Sequence, residues 1–360
     1  MIVRRVELAD FRNYSAATFE LDAGLTAVVG DNGQGKTNLA EALAYLATLH
    51  SFRRAPPDAL VRVGATQAII RAEVEHDDGR VILVEVEINR VGRNRVMINK
   101  QRLAKTRELL GVMRVTVFAP DDLALIKDGP GERRTFLDDL LVALHPRHDA
   151  VLGDLERILR QRNVLLKQAG GRLSGDIGFT LDVWDAKLAE TGETLGRARE
   201  ALVHDLEPLV GQAYRELSGV ERSSVGIVYD PPWRRTGLVE ALATGRLDDV
   251  RRQLSLIGPH RDEVELAINA MAARTHASQG EQRTLALALR LAGHRLVADR
   301  VGTPPVLVLD DVLSELDPIR CAALLAHLPT GQVVLTTAGV LPDAAHPTQI
   351  IRIASGTVSP

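Results

Sequence analysis

The chain has 360 residues, 45% of them hydrophobic and 25% charged, with a formal net charge of −3. Such a composition excludes disorder and is enough for one large or two ordinary globular cores. A bulk charge this near neutral does not announce nucleic acid. Cys321 is the single cysteine, which rules out an intrachain disulfide and Cys/His metal spacing and fits a reducing cytoplasm; no apolar run approaches the roughly 20 residues a membrane span needs.

Residues 1 to 100 read as strands around one helix: Val3 to Leu8, Thr18 to Leu21, Leu25 to Val29, Ala68 to Val74, Val81 to Ile88 and Val96 to Ile98, with turns at Asp77-Asp78-Gly79 and Gly92. Between the third strand and the helix opening at Asn38 stands Gly30-Asp31-Asn32-Gly33-Gln34-Gly35-Lys36-Thr37. A G-x-x-x-x-G-K-T loop in the order strand, loop, helix is a phosphate cradle: the glycines let backbone N–H groups turn inward, and the helix start favours anions. The whole stretch Gly30 to Thr37 is therefore the expected ATP or GTP site, with Lys36 reaching the β- and γ-phosphates and Thr37 holding Mg2+ through its hydroxyl.

From Asn89 to Arg107 the basic residues Arg90, Arg93, Arg95, Lys100, Arg102, Lys105 and Arg107 occur without a single acid. A charge run is usually a solvated face; here it is also the candidate DNA-binding segment. From about Gly131 to Ser218 the spacing turns helical, as in Phe136, Leu137, Leu140, Leu141, Leu144 and Leu152, Leu155, Leu159, Leu165, broken only near Ala169-Gly170-Gly171. This is a helical arm. Further on, Gly258-Pro259-His260 reads as a turn before a strand from Glu263 to Ile268, and His260 as a hydrogen-bonded structural residue in the first instance.

Ser278-Gln279-Gly280-Glu281-Gln282 opens a helix through Leu291, with Ser278 and Glu281 at capping-box spacing. About thirty residues later, Val306-Leu307-Val308-Leu309-Asp310-Asp311 is an apolar strand ending in two carboxylates, the Walker B form expected beside the P-loop strand. Asp310 is assigned to Mg2+, and Asp311 to orienting or deprotonating the attacking water together with Lys36 as the catalytic pair. Adjacent strand residues point to opposite faces, so the two carboxylates should not share one task. Because parallel neighbours some 270 residues apart need something folded between them, the middle of the chain is read as a second lobe.

In this order of motifs, completed by Ser314-Glu315-Leu316-Asp317 after the second strand, the chain resembles an ABC-type ATPase of the SMC-like branch. Within that branch it is similar to the RecF family of bacterial recombination mediators over essentially its whole length. The residues carrying the likeness are Asp10-Phe11-Arg12-Asn13-Tyr14, Gly30 to Thr37, Val117 to Leu123, Pro130-Gly131-Glu132-Arg133-Arg134-Thr135-Phe136-Leu137-Asp138, Gly258 to Asp262 and the Ser278 segment.

The resemblance implies an α/β, ABC-type (SMC-like) P-loop ATPase head with a mostly helical second lobe. Residues 1–120 with 301–360 would form lobe I, carrying the P-loop, Walker B and D-loop. Residues 121–300 would form lobe II, with the arm at about 131–218 and the signature motif. It further implies that Arg12 touches the nucleotide, and that Ser278, Gln279 and Gly280 bind the γ-phosphate of another subunit in trans, so that ATP and Mg2+ join two copies.

The implied function is a weak DNA-stimulated ATPase that clamps double-stranded DNA near single-stranded gaps. With RecR and RecO it would help RecA displace single-strand-binding protein, in a nucleoid-associated, cytoplasmic setting that includes replication restart and the SOS response. Departures from the transporter pattern are the Ser278-Gln279-Gly280 signature, Asp311 where transporters use Glu, no glutamine near Ala119-Pro120, and Thr336-Thr337 where transporters carry a γ-phosphate-sensing histidine. A hydroxyl can donate there but carries no charge at pH 7, so hydrolysis should be slow. An ABC importer subunit, its arm docked on a permease, is the alternative reading; a plain P-loop kinase leaves the Ser278 segment unexplained.

Overall fold

The computed structural model describes residues 1–354 and 356–359. They fall into two compact units, Met1–Leu123 with Leu209–Ser223 and Ser278–Pro360, and Ala124–Pro208 with Ser224–Ala277.

The first unit holds two six-stranded sheets. In one, the order is Tyr14–Glu20, Ile2–Phe11, Gln67–Glu75, Val81–Asn89, Arg95–Ile98, Gln101–Arg102, antiparallel throughout. Gln67–Glu75 alternates strictly between buried and half-buried residues, as a strand with one face on a core must. In the other sheet the order is Thr357–Ser359, Gln349–Ala354, Leu25–Val29, Val333–Thr337, Val306–Asp310, Val115–Phe118. Its neighbours are parallel apart from the edge hairpin. Val306–Asp310 and Val333–Thr337 are buried at every residue, the mark of a parallel sheet covered on both faces.

Helix Lys36–Thr48 belongs to the core beside these sheets, with Leu39, Leu43 and Leu46 fully buried alongside Phe11, Phe19, Ile70 and Ile88. Each such leucine contributes about 1.5–3 kcal/mol by leaving water. Burial therefore anchors the helix that carries Lys36 and Thr37 far more than helix propensity does. Gln332 stitches the two sheets: its Oε1 accepts from Val3 N at 2.8 Å and its Nε2 donates to Val3 O at 2.7 Å.

One expectation about this sheet is corrected. The Walker B strand Val306–Asp310 does not lie beside the P-loop strand Leu25–Val29; Val333–Thr337 pairs with both and separates them. Its residues read as the segment preceding a missing histidine, and nothing in their local pattern reveals which strands they join.

The second unit contains helices Pro130–Leu144, Arg147–Gln168 and Leu238–Arg252, the first part of the long helix Gly175–Ser218, and a small antiparallel sheet of Val225–Val228, Glu265–Ile268 and Met271–Ala272. The arm is interrupted twice rather than once. Besides the expected break near Ala169, the chain leaves the helix at His145, whose φ of −142° and ψ of 100° are extended. Pro146 follows, and a residue before proline is driven out of the helical region.

Buried ion pairs tie these helices. Arg162, fully buried, meets Asp185 at 2.6 Å and Asp249 at 2.7 Å, and Arg199 grips both carboxylate oxygens of Asp138 at 2.9 and 2.8 Å. Buried pairs of this kind add little net stability, but losing one partner strands a charge in the interior.

Contacts group Ser278 and its helix Gln279–Val301 with the P-loop sheets, whereas the sequence reading placed them in 121–300. The helix packs on the turn Pro120–Leu123 and on strand Val115–Phe118, burying Leu285, Ala288, Leu289 and Leu291. Among the described residues no helix is long and apolar enough to cross a membrane.

Candidate nucleotide-binding site

The loop from Gly30 to Gly35 leaves the end of strand Leu25–Val29 and enters helix Lys36–Thr48. Two of its glycines are enforced by close approach. A Cβ on Gly30 would come within 2.3 Å of the Ile353 carbonyl oxygen, and one on Gly35, at φ 118°, within 2.6 Å of the Tyr14 hydroxyl. The turn between the first two strands clamps the loop from outside: Tyr14 donates to Gly35 O at 3.0 Å, and Asn13 donates to Gln34 O at 3.0 Å while accepting from Asn38 at 2.7 Å. Sequence reading quoted Asn13 and Tyr14 only as part of a motif; their clamping role depends on a fold-back that the spacing does not display.

Lys36 is 6% exposed and its ammonium lies back on the loop, donating to Gly30 O at 2.7 Å and Asp31 O at 2.8 Å. Both acceptors are neutral carbonyls. A phosphate oxygen adds an opposite full charge to the hydrogen bond, so the amine would turn to it.

Across the loop, Thr37 Oγ1 stands 3.0 Å from Asp310 Oδ1, which also accepts from Thr336 Oγ1 at 2.7 Å. Asp310 is 3% exposed. Burial pushes its pKa upward, an effect that Asp311 adds to and that the two threonines and the charge of Arg53 oppose. An acceptor-only carboxylate in the interior, beside a hydroxyl and short of positive charge, is a fit for a hard cation. Mg2+ is typically held by one or two protein oxygens plus phosphate and water. Thr37 and Asp310 are the residues that would hold it.

Asp311 lies past the strand end, at φ 51°, in the left-handed region that Asp tolerates better than most residues. The separation of roles inferred from strand alternation therefore rests on the wrong geometry, since the chain has already turned at Asp311. Its N–H donates to Thr336 O and Oγ1, both at 3.1 Å, and its Oδ1 is buried with no hydrogen-bond partner among the described residues. A buried oxygen without a donor is a place for a water.

The Ser278 segment forms a complete capping box: Ser278 Oγ accepts from Glu281 N at 3.3 Å, and Glu281 Oε2 takes the Ser278 N–H at 2.7 Å. Ser278 and Gln279 are exposed, and neither they nor Gly280 bonds to a P-loop residue in the described structure. Over Gly280 lies the Arg320 guanidinium, 3.4 Å from where a Cβ would stand, steadied by its ion pair with Asp317 and a 2.9 Å bond to Thr284. The start of this helix thus carries a cation as well as free-pointing backbone. Arg290 pairs with Asp122 at 2.6 Å and Arg283 with Glu315, tying the helix to the turn at 120–123 and to the segment after Walker B.

These motifs have counterparts in known proteins. The sequence matches the RecF/RecN/SMC N terminal domain family over residues 2–339. Proteins described as DNA replication and repair protein RecF are 42% identical in Cutibacterium acnes, covering 95% of this chain and 93% of the relative, and 46% identical in Streptomyces avermitilis, covering 95% of each. The chain belongs to the RecF family. A solved structure of the recombination mediator protein RecF with ATP, in the RecFOR pathway, superposes with a TM-score of 0.90 at 28% identity, covering 99% of this chain and 96% of the other. An Smc head domain from Pyrococcus furiosus, bound to the C-terminal domain of ScpA, shares the fold alone, with a TM-score of 0.59 at 17% identity. The match to RecF along nearly the full chain removes the importer-subunit alternative.

In this RecF-family chain, Arg12 is committed within the protein. It grips the fully buried Glu41 through two 2.7 Å bonds and donates to Ala59 O at 3.0 Å, so it braces the P-loop helix. Arg53, which sequence reading passed over, is the arginine whose charge is felt at Asp310; its position follows from a loop after the helix, with no motif to flag it.

His260 is structural, as its residue context suggested. One ring nitrogen faces Ser255 O at 3.0 Å and burial lowers its pKa to about 4, so it is neutral at pH 7. Of the basic segment, Arg93, Lys100, Arg102 and Lys105 are exposed. Arg95 faces Glu87 at 3.5 Å, and Arg90 is folded onto three backbone carbonyls.

The buried carboxylate of Asp310 yields a prediction with two opposite signs. A folded-state pKa raised above 3.8 means that Asp310 favours the fold below its unfolded pKa and costs stability as pH rises through the folded value. At pH 7, Asp310→Asn is therefore expected to raise the melting temperature of the nucleotide-free protein, while metal-dependent ATP turnover is lost. Thermal melts beside a turnover assay check it; a lowered melting temperature would show that the carboxylate is already compensated.

Proposed function

We propose that this protein is an ATP-dependent DNA-binding protein of recombinational repair, in which two copies close on ATP and Mg2+ and the closed dimer grips double-stranded DNA near single-stranded gaps. The observation that carries the reading is the division of labour in the first unit. A P-loop whose Thr37 faces Asp310 across 3.0 Å supplies two oxygens for a metal, while the capped, exposed start at Ser278, Gln279 and Gly280 makes no hydrogen bond to the P-loop of its own chain among the described residues. A helix N-terminus facing a triphosphate is favourable only when the nucleotide is there, which makes ATP the switch for association.

Support for the repair role comes from the relatives' description as DNA replication and repair proteins and from the RecFOR structure with ATP. On this reading the partners are RecR and RecO, with RecA loading as the outcome, and the processes served include replication restart and the SOS response. Lys36 and Asp311 carry the chemistry: the ammonium neutralises the β- and γ-phosphates, and Asp311, with one carboxylate oxygen unpaired, orients the attacking water. Thr336 and Thr337 supply hydroxyls where a cationic histidine would speed turnover, so the ATPase is weak and duplex DNA accelerates it by stabilising the closed dimer. Arginine contacts to phosphates give little sequence preference and a steep salt dependence.

Sedimentation of the full chain with Mg-ATP, with ADP and without nucleotide tests the core of this reading. A dimer is expected with Mg-ATP alone. A single unassociated species at saturating Mg-ATP, with and without a DNA duplex, would disprove it.

A further inference from the structure

The tripeptide Arg-Val-Gly occurs at 62–64 and again at 90–92, and the fold sets these two copies side by side. Each ends in a glycine of positive φ, 90° at Gly64 and 101° at Gly92, so each makes a tight turn with its valine at the tip. The third copy, at 300–302, only ends a helix. The two turns are joined by Arg90. Its N–H donates to Thr66 O at 3.0 Å, and its guanidinium donates to Val61 O, Arg62 O and Ala65 O at 3.1–3.2 Å. What is left outside is apolar: Val63 is 91% exposed and Val91 88% exposed.

A pair of β-branched side chains held on rigid turns has little side-chain freedom left to lose on binding. Nothing in the first unit's packing needs them, because neither belongs to its core. The charge around them is one-sided. Arg90 bonds only to neutral carbonyls, so its positive charge stands uncompensated, and Arg93, two residues beyond Val91, is exposed with no ion pair among the described residues. Arg62 shares its charge with Asp10 at 2.6 Å. Two apolar tips between uncompensated arginines match a surface that is itself apolar between two rows of negative charge.

We propose that the paired Arg-Val-Gly turns are a duplex-DNA contact in which Val63 and Val91 enter a groove and pack on sugars and base edges while Arg90 and Arg93 neutralise the flanking phosphates. This rests on the reading of the protein as DNA-binding, and it names the surface. Apolar side chains inserted in a groove add contact area that does not depend on counterion release, whereas each arginine–phosphate contact adds to the salt slope. The two kinds of residue therefore have separable signatures.

The test is fluorescence-anisotropy binding of a blunt duplex by the full chain in Mg-ATP over a series of salt concentrations. Val63→Ser with Val91→Ser is expected to weaken binding roughly tenfold at every salt concentration, leaving the salt slope unchanged. Arg93→Ala is expected to lower the slope by about one phosphate contact. Both changes lie on exposed turns, and retained ATP-dependent dimerisation in the same samples shows that the variants are folded. Wild-type affinity in the double valine variant overturns this assignment while leaving the repair reading intact. A wild-type protein that binds no duplex overturns both.

Discussion

Lys36→Met is expected to lower ATP affinity by about 100-fold or more while leaving the fold in place. The ammonium is the one side-chain cation inside the loop, and its two present acceptors, the backbone carbonyls Gly30 O and Asp31 O, are neutral. Against β- and γ-phosphates it would make charge-assisted bonds of about 1.5–3 kcal/mol each, and 100-fold corresponds to about 2.7 kcal/mol. Methionine keeps the length and apolar stem of a side chain that is only 6% exposed, so the melting temperature without nucleotide should change little. Titration with a fluorescent ATP analogue, alongside a thermal melt, separates the two effects. Affinity within a few-fold of wild type would mean that the loop does not hold the β- and γ-phosphates through this residue, and nucleotide-dependent dimerisation would have to be sought elsewhere.

Changing the serine at the start of the signature helix should act on association alone. Ser278→Arg places a bulky side chain where a partner's triphosphate would approach, and is expected to abolish the Mg-ATP dimer while the monomer still binds ATP. The substitution also destroys the capping box, a loss of about 1 kcal/mol, so a second change removes that ambiguity. Ser278→Thr keeps the hydroxyl that accepts from Glu281 N and donates to Glu281 Oε2 and is expected to retain the Mg-ATP dimer, so that loss in Ser278→Arg alone reports the blocked approach. Sedimentation in Mg-ATP and ATP titration of the monomer read the two properties. If either variant loses ATP binding as a monomer, Ser278 serves its own chain's nucleotide and the trans arrangement is wrong.

Much of this site was legible in the linear chain because its parts are local. Gly30 to Thr37 is one continuous turn between a strand and a helix, and Ser278 with Glu281 is one capping box; in each, the chemistry is set by residues within a few positions of one another. The paired carboxylates at 310–311 were equally visible, as was the hydrogen-bonded character of His260, whereas its neutrality follows from burial. Their geometry was less so. Asp311 was read as a strand residue, yet it stands at φ 51° beyond the strand end, because a left-handed Asp looks no different in sequence from an extended one.

What the linear chain did not show about the arginines has one cause. Arg12 was assigned to the nucleotide, but a buried Glu41, 29 residues away, claims it. Arg90 was counted with a basic run, but the sequence did not show that its guanidinium also joins two turns through the carbonyls of Val61, Arg62 and Ala65 while keeping its charge uncompensated. Arg53 was not considered at all. An arginine's role depends on which acceptors lie within about 3 Å, and those come from segments far off in the chain.

What the amino-acid order determined by itself was the family: a phosphate loop, a strand ending in two carboxylates and a capped helix start, each encoded within a few residues, in the succession that marks the RecF family. What only the tertiary structure decided was adjacency. It put Val333–Thr337 between the two motif strands, so that Thr336 reaches Asp310 at 2.7 Å, and it set two Arg-Val-Gly turns together through one guanidinium. Local chemistry is written in neighbouring residues, while strand order and the partners of long charged side chains come from burying one core among segments that the chain keeps hundreds of positions apart.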